Sequence, residues 1–331
     1  MSLYTKYRSQ TFDDLIEQDT TKDILKQQVM TDAVNHNYLF FWSRGIGKTS
    51  VARILAKAVN CLDQQWGNPC NKCSNCVAIN AGQTLDIIEI DAASHTGVDN
   101  VREEIIGKAA YPPSMLRKKV YIIDEVHMLS KGAFNALLKI MEEPPKHLMF
   151  ILATTEAHKV PDTIISRCQV FNFRKITQKG IVSRLEYICT AEGLTCEVAG
   201  LELIARLAEG WMRDAVKYLE QVSVLGAITA SNVTSFLGIS PLQTIEQFVT
   251  AGTAGDTATM MTLVDQCVEQ SIDLSNFVKD SLWYLDSEFQ HYMSQPQLVS
   301  FVDLCKDYLI SARVISQHAL VLKQVIMKSY S

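Results

Sequence analysis

The sequence predicts an α/β protein with a doubly wound parallel sheet, followed by a region made only of helices. Two observations predict the sheet. An apolar stretch at 38–41 runs into a glycine-rich loop ending in Lys48-Thr49, and a second apolar stretch at 120–123 ends in Asp124-Glu125. Strands that alternate with helical patterns are typical of parallel sheets. A third observation, apolar residues at helical spacing from residue 177 onward, predicts the helical region.

Composition indicates a globular chain of two or three domains, since 47% of its 331 residues are apolar and 20% are charged. No apolar run approaches the length of a membrane span, and residues 1–8 lack the apolar core of a signal peptide. We therefore expect a cytoplasmic protein without a membrane partner. The net charge of −5 argues against a wholly basic nucleic-acid coat, although it leaves room for a local basic surface.

The glycine-rich loop follows the pattern of a phosphate-binding P-loop. Glycines let successive backbone N–H groups point at phosphate oxygens, and the helix predicted at 51–59 adds the partial positive charge of its N-terminus. Lys48 would reach the β- and γ-phosphates of ATP, and the Thr49 hydroxyl would coordinate Mg²⁺. The pattern expects glycine at position 42, where this chain has Trp42, so an ordinary glycine turn is the alternative. The predicted loop comprises Ser43, Arg44, Gly45, Ile46, Gly47, Lys48, Thr49 and Ser50.

Four of the nine cysteines cluster with the spacing C-x8-C-x2-C-x2-C. Four thiolates at such short spacings predict a closed, structural, tetrahedral Zn²⁺ site. Free thiols or a redox pair are the alternative. The other five cysteines are scattered among apolar patterns and are expected to be small buried hydrophobic residues. The predicted zinc ligands are Cys61, Cys70, Cys73 and Cys76.

The second apolar stretch follows the Walker B pattern, in which a buried strand delivers two carboxylates at its C-terminal end. Asp124 would hold the Mg²⁺ shell, and Glu125 would act as general base toward the attacking water. A neighbouring strand at 149–153 ends in Thr154-Thr155, where a hydroxyl could sense the γ-phosphate. An acidic or hydroxyl-bearing strand end is common in itself, so the combination with the P-loop carries the argument.

The remaining predicted elements follow from periodicity and from capping residues. Further strands are predicted at 85–91 and 169–173. Helices are predicted near 20–35, from Val98 through Ile106, and at 131–141, 177–191, 198–208, 212–225, 243–251, 255–270, 273–292, 296–309 and 311–329.

Taken together, these motifs resemble the AAA+ clamp-loader ATPases of bacterial DNA polymerase III. The resemblance covers residues 1 to about 225 and is most specific where the cysteine module, the Asp-Glu-Val-His run and Ser-Arg-Cys occur together. It is carried by 7–12, 44–49, the cysteine module, 91–94, 123–130, 136–139, 142–145, 153–156, 166–168 and 210–215.

The resemblance implies a P-loop AAA+ sheet with a four-cysteine zinc module at 1–176, a three-helix lid at 177–240 and a helical collar at 241–331. It implies that Arg167 is an arginine finger acting on ATP held by the neighbouring subunit. Thr155, rather than Thr154, would be the first sensor of the γ-phosphate, and Arg213 in the lid would be the second. Tyr7 and Arg8 would lie near the adenine and ribose.

The resemblance also implies an ATP-driven motor that opens a sliding clamp and loads it onto primer–template DNA, with DNA contacts mainly to the backbone. Expected partners are other clamp-loader subunits and copies of this chain, in a hetero-pentameric ring. One alternative is a non-hydrolysing structural subunit whose P-loop is degenerate at Trp42. Another is an unrelated AAA+ remodelling ATPase, against which the cysteine module argues.

Overall fold

A computed structural model of the protein describes residues 2–41, 48–94, 105–237, 242–270, 272–312 and 317–330. The chain divides into two compact units, Met1–Val224 and Leu225–Ser331. The helix predicted from Val98 lies outside the described residues up to position 104. The domain boundaries at 176 and 240 stay predictions.

The first unit is built on a parallel sheet. In the described part of the chain its strand order is β2-β3-β4-β1-β5, and each neighbouring pair is parallel. The predicted parallel α/β fold is therefore confirmed. The strands are β1 (Asn37–Phe41), β2 (Ile87–Asp91), β3 (Lys119–Asp124), β4 (Leu148–Thr154) and β5 (Gln169–Asn172).

Helices of the first unit cover the sheet and continue beyond its last strand. They are α1 (Leu3–Lys6), α2 (Asp19–Met30), α3 (Lys48–Asn60), α4 (Ser74–Asn80), α5 (Gly107–Ala109), α6 (Lys131–Glu142), α7 (Asp162–Ile165), α8 (Gln178–Glu192), α9 (Val198–Leu207) and α10 (Met212–Ser223), with 3₁₀ helices at Val126–Met128 and Ala157–Lys159. The prediction that α2 continues to about residue 35 was wrong, because Asp32 has a left-handed φ of 51° that ends the helix. The sequence did not predict α4, which Cys73 caps.

The central strands β1, β3 and β4 are buried on both faces, which explains why they read as continuous apolar runs. Tyr38 and Phe40 of β1 pack on one face in a cluster with Leu55 of α3. Leu39 points to the other face and joins a cluster with Leu137 of α6. The sheet thereby lies between two helical layers, and the ends of its strands are left to carry the polar residues.

The second unit is helical throughout its described residues, as predicted. Its core includes Phe248, whose ring centre lies 4.7 Å from that of Phe277 and 5.7 Å from that of Phe301. The single helix predicted at 273–292 was wrong, because the structure has two helices that meet at Glu288. The elements are α11 (Ala230–Leu237), α12 (Leu242–Ala254), α13 (Thr257–Glu269), α14 (Leu274–Ser287), α15 (Phe289–Tyr292), α16 (Leu298–Ser311) and α17 (His318–Ser329).

None of the helices described in either unit combines the length and the apolar character that crossing a bilayer requires.

Candidate functional site

The strands β1, β3 and β4 end at one edge of the sheet. Phe41, the last residue of β1, is opposite Thr154 of β4, and Ile123 of β3 is opposite Leu152. The segments that follow these strands therefore leave the sheet side by side. This carboxyl edge is where parallel α/β sheets hold their ligands.

The body of the predicted P-loop lies outside the described residues, as does Trp42. The predicted loop residues concerned are Ser43, Arg44, Gly45, Ile46 and Gly47. α3 starts at Lys48, whose side chain is likewise not described, and Thr49 and Ser50 follow in its first turn. The Thr49 hydroxyl donates to Asp124 Oδ2 at 3.3 Å. Hydroxyl and carboxylate oxygens are the ligands Mg²⁺ prefers, so this pair fits the predicted metal role.

Glu125 and Thr155 meet at the same edge. The Thr155 hydroxyl donates to Glu125 Oε2 at 3.0 Å, which joins the predicted general base to the predicted first sensor. Glu125 has φ 48° and ψ 44°, a left-handed conformation that costs a non-glycine residue about 1–3 kcal/mol. Strained backbone of this kind clusters at functional sites.

Thr154 is fully buried, and its hydroxyl is occupied within the protein. It accepts from the backbone N–H of Glu156 at 3.0 Å and lies 3.0 Å from His127 Nδ1. His127 Nδ1 is also 3.5 Å from Glu125 Oε2, and its Nε2 is 3.3 Å from Glu156 Oε1. Thr154 is thus buried and bonded within the protein, whereas the half-buried Thr155 donates to Glu125 at the edge of the sheet. His127 belongs to the Asp-Glu-Val-His run of the sequence, which by itself predicts no contact for this side chain.

Four residues predicted to bind or sense the nucleotide line one cleft: Tyr7, Arg8, Ser50 and Arg213. The guanidinium carbons of Arg8 and Arg213 each lie 5.3 Å from the ring centre of Tyr4. Among the described residues, Arg8 Nε is buried without a hydrogen-bond partner. A buried donor without an acceptor suits an oxygen or nitrogen acceptor of a ligand.

The N-terminal arm is held against helix α8 beside this cleft. Tyr7 Oη donates to Glu192 Oε1 at 2.5 Å, and Arg184 Nη2 donates to the Tyr7 carbonyl at 2.9 Å. The hydrogen bond to Glu192, together with burial, raises the pKa of the Tyr7 hydroxyl, which therefore stays protonated at neutral pH. Nothing in the local sequence around Tyr4, Arg184 and Glu192 distinguishes them from surface residues, so their positions at this cleft were not predicted.

Arg167 lies away from these residues. Its carbonyl accepts from the side chain of Asn37, the first residue of β1, at 3.2 Å. β1 then runs through Phe41 to the carboxyl edge, a length of about 13 Å at about 3.3 Å per residue. The Arg167 guanidinium instead bonds Glu142 at 2.6 Å and the Thr163 carbonyl at 2.7 Å. The structure therefore does not bring Arg167 into the site of its own chain.

The clustered cysteines form a compact group of thiols. The four sulfur atoms, of Cys61, Cys70, Cys73 and Cys76, lie within 4.8 Å of one another, and the Cys61 and Cys73 sulfurs are 3.9 Å apart. A tetrahedral site with Zn–S bonds of about 2.3 Å has sulfur–sulfur edges of about 3.8 Å, so the group fits zinc. Burial alone would raise the pKa of Cys73, but N–H donors from Leu62 and Cys76 lower it to about 6. That pKa favours the thiolate of Cys73, whereas burial raises the pKa of Cys61 and of Cys76.

The fold and the carboxyl-edge site define a protein of the P-loop AAA+ class. A solved structure of that fold, the Holliday junction branch migration motor RuvB of Thermotoga maritima, matches with a TM-score of 0.52 and 18% identity, covering 74% of this chain and 79% of RuvB. At that identity the likeness is one of fold. Family models described as "DNA polymerase III, delta subunit" and "DNA polymerase III clamp loader subunit, ATPase lid domain" match residues 17–177 and 180–227.

The curated relatives agree with these models. DNA polymerase III subunit tau of Bacillus subtilis is 52% identical over 66% of this chain and 39% of its own length. Subunit gamma of Buchnera aphidicola is 45% identical over 72% of this chain and 64% of its own length. Subunit tau of Escherichia coli is 39% identical over 86% of this chain and 44% of its own length. The chain belongs to the gamma/tau family of DNA polymerase III clamp-loader subunits. It spans between 39% and 64% of the length of these three relatives.

Proposed function

We propose that the chain is an ATP-driven motor subunit of a loader that opens a DNA sliding clamp and places it on primer–template DNA. The observation that carries this proposal is the meeting of Thr49, Asp124, Glu125 and Thr155 at one edge of the sheet. A magnesium-ligand pair, a general base and a sensor are the parts that P-loop phosphoryl transfer requires.

In this proposal the P-loop, with Lys48, holds the phosphates of ATP, and Thr49 and Asp124 hold Mg²⁺. Glu125 accepts a proton from the attacking water, and Thr155 detects the γ-phosphate. Arg213 reaches the nucleotide from the lid through the cleft that it shares with Tyr7 and Arg8. Bound ATP would supply the γ-phosphoryl group, and its transfer to water would reset the assembly.

Arg167 supports a site shared between subunits. A guanidinium is suited to phosphate oxygens because it stays charged and donates in a planar fork. Since Arg167 lies near the opposite end of β1, we propose that it acts on ATP in a neighbouring copy or a related subunit. The arrangement fits the hetero-pentameric ring, in which the helical second unit would serve as the collar.

We further propose that the four cysteines hold a structural zinc ion that orders residues 61–76, which have little core of their own. DNA contacts would go mainly to phosphates and would weaken with salt. Replication of a bacterial chromosome would place the protein in the cytoplasm. The domain limits that we propose are 1–176, 177–240 and 241–331.

Trp42 favours a second candidate, a structural clamp-loader subunit that no longer turns over ATP. An indole at a position where the P-loop pattern expects glycine adds bulk and restricts the backbone. The presence of Lys48, Asp124, Glu125 and Arg213 argues for the motor.

Titration calorimetry with ATP and Mg²⁺ separates the two candidates. The motor proposal expects micromolar binding by the parent chain and none by Lys48→Ala. If the parent shows no binding while Trp42→Gly binds ATP, the site is intact except for one residue and the structural role is correct. Binding by the parent that persists in Lys48→Ala would refute the P-loop assignment.

A further inference from the structure

Lys57 is a charged side chain in an unusual place. It lies in the second half of α3, and only 3% of its surface is exposed. Its ammonium group donates to the side-chain oxygens of Gln10 and Asn80, each at 2.9 Å. Both acceptors are neutral amides, and no carboxylate in the described part of the chain forms an ion pair with it. Buried charges in proteins are normally paired, so Lys57 calls for a counter-charge.

The surroundings of Lys57 point to the cysteine group as that counter-charge. Lys57 is one helical turn before Cys61, which directly follows α3, and residues four apart lie on the same face of a helix. Its partner Asn80 is likewise one turn after Cys76 on α4. Lys57 and its partner Asn80 thus each lie four residues along the chain from a thiol of the cluster, and their hydrogen bond joins α3 to α4.

The four cysteines would form an anionic centre when they hold zinc. Four thiolates carry four negative charges and Zn²⁺ offsets two of them, so the centre keeps a net charge of about −2. Burial lowers the pKa of Lys57, whereas Cys76, Asp14, Cys61 and Cys70 act in the opposite direction. A buried cation next to an anionic centre stabilises it, because the interior screens their attraction less than water does.

We infer that Lys57 is the buried counter-charge of the zinc centre and raises the affinity of the four cysteines for the metal. Lys57 also lines a cavity of about 620 Å³ between the N-terminal arm, α3, α4 and β2. Both hydrogen-bond partners of Lys57, Gln10 and Asn80, line the same cavity, and among the described residues no other lysine lines it. This inference rests on the proposed zinc site.

The test measures zinc affinity by competition with a chromogenic chelator, using Lys57→Met in the full chain. Methionine is close to lysine in length, carries no charge and suits a buried position, so the variant is expected to fold. We expect its zinc affinity to fall about 10- to 100-fold, as when a supporting residue of a metal site is removed.

Two matched controls separate charge from packing. Arg53→Met removes a cation from the same helix and cavity, one turn farther from Cys61, where Arg53 already pairs with Glu89. Gln10→Ala removes a partner of Lys57 but keeps the ammonium group. Both controls should retain the parent zinc affinity.

The outcomes distinguish the inference from the proposal beneath it. A parent chain that binds no zinc would refute the zinc site itself. A parent that binds one zinc ion, with the same affinity in a folded Lys57→Met, would overturn only the role of Lys57. An equal loss in Arg53→Met would also overturn it, because the effect would then reflect general charge rather than this position.

Discussion

Replacing Arg167 with alanine separates a role in the folded chain from a role in a neighbouring subunit. Within its own chain, Arg167 makes an ion pair with Glu142 at the surface and a hydrogen bond to the Thr163 carbonyl. Partly exposed ion pairs contribute about 0.2–1 kcal/mol, and a hydrogen bond contributes about 1 kcal/mol. We therefore expect Arg167→Ala to lower stability by about 1–2 kcal/mol, which is a shift of a few degrees in Tm.

The expected effect on hydrolysis is much larger. Arginine fingers contribute about 10³–10⁵ in kcat, and a thousandfold loss equals about 4 kcal/mol of transition-state stabilisation. Because Arg167 lies about one strand length from the carboxyl edge of its own sheet, ATP affinity of the isolated chain should not change. Hydrolysis should fall only where a neighbouring subunit presents its nucleotide to this residue.

The assays are a thermal melt, calorimetry with ATP on the isolated chain, and steady-state ATPase activity of the reconstituted loader. Glu142→Ala is the matched control, since it breaks the same ion pair and leaves the guanidinium in place. It should reproduce part of the stability loss and none of the loss in turnover. Equal ATPase activity of the parent and Arg167→Ala loaders, or an equal loss in Glu142→Ala, would refute the assignment.

Two further predictions concern the edge of the sheet and a buried carboxylate. Thr155→Ala should lower the rate of ATP hydrolysis by about 10²–10³-fold with little change in ATP affinity. Thr154→Ala should instead lower the free energy of unfolding by about 1–3 kcal/mol, because loss of its buried hydroxyl leaves its partners unpaired. The reverse pattern in ATPase and melting assays would contradict the sensor assignment. Burial alone would raise the pKa of Asp86, but backbone N–H donors at 114–116 hold it below its ordinary value. The stability that the Asp86 carboxylate contributes is therefore complete above the unfolded pKa and is lost as pH falls through the folded pKa. Asp86→Asn should therefore destabilise the chain by about 2–3 kcal/mol at about pH 7, and by less at about pH 3, in urea unfolding; a difference independent of pH would show that the charge is not the cause.

The sequence was most informative where the pattern is local. Continuous apolar runs predicted β1, β3 and β4, because strands buried on both faces need apolar residues at every position. The cysteine spacing predicted the thiol cluster, because Cys70, Cys73 and Cys76 follow one another at intervals of only three residues. Local propensity failed at α11, where serine, asparagine and threonine are weak helix formers and the Thr229 hydroxyl stabilises the first turn by accepting from Asn232 N–H.

Only the tertiary structure decided which side chains meet. It paired Thr155 with Glu125, placed Arg213 within 5.3 Å of the Tyr4 ring centre, and joined Lys57 of α3 to Asn80 of α4. These three contacts join residues that lie in different elements of the chain, and no periodicity of about 2 or 3.6 residues records them. The sequence thus determined the elements and the chemical groups at their ends, because those depend on neighbours within a few residues. The packing of helices on both faces of the sheet determined which of those groups came within bonding distance.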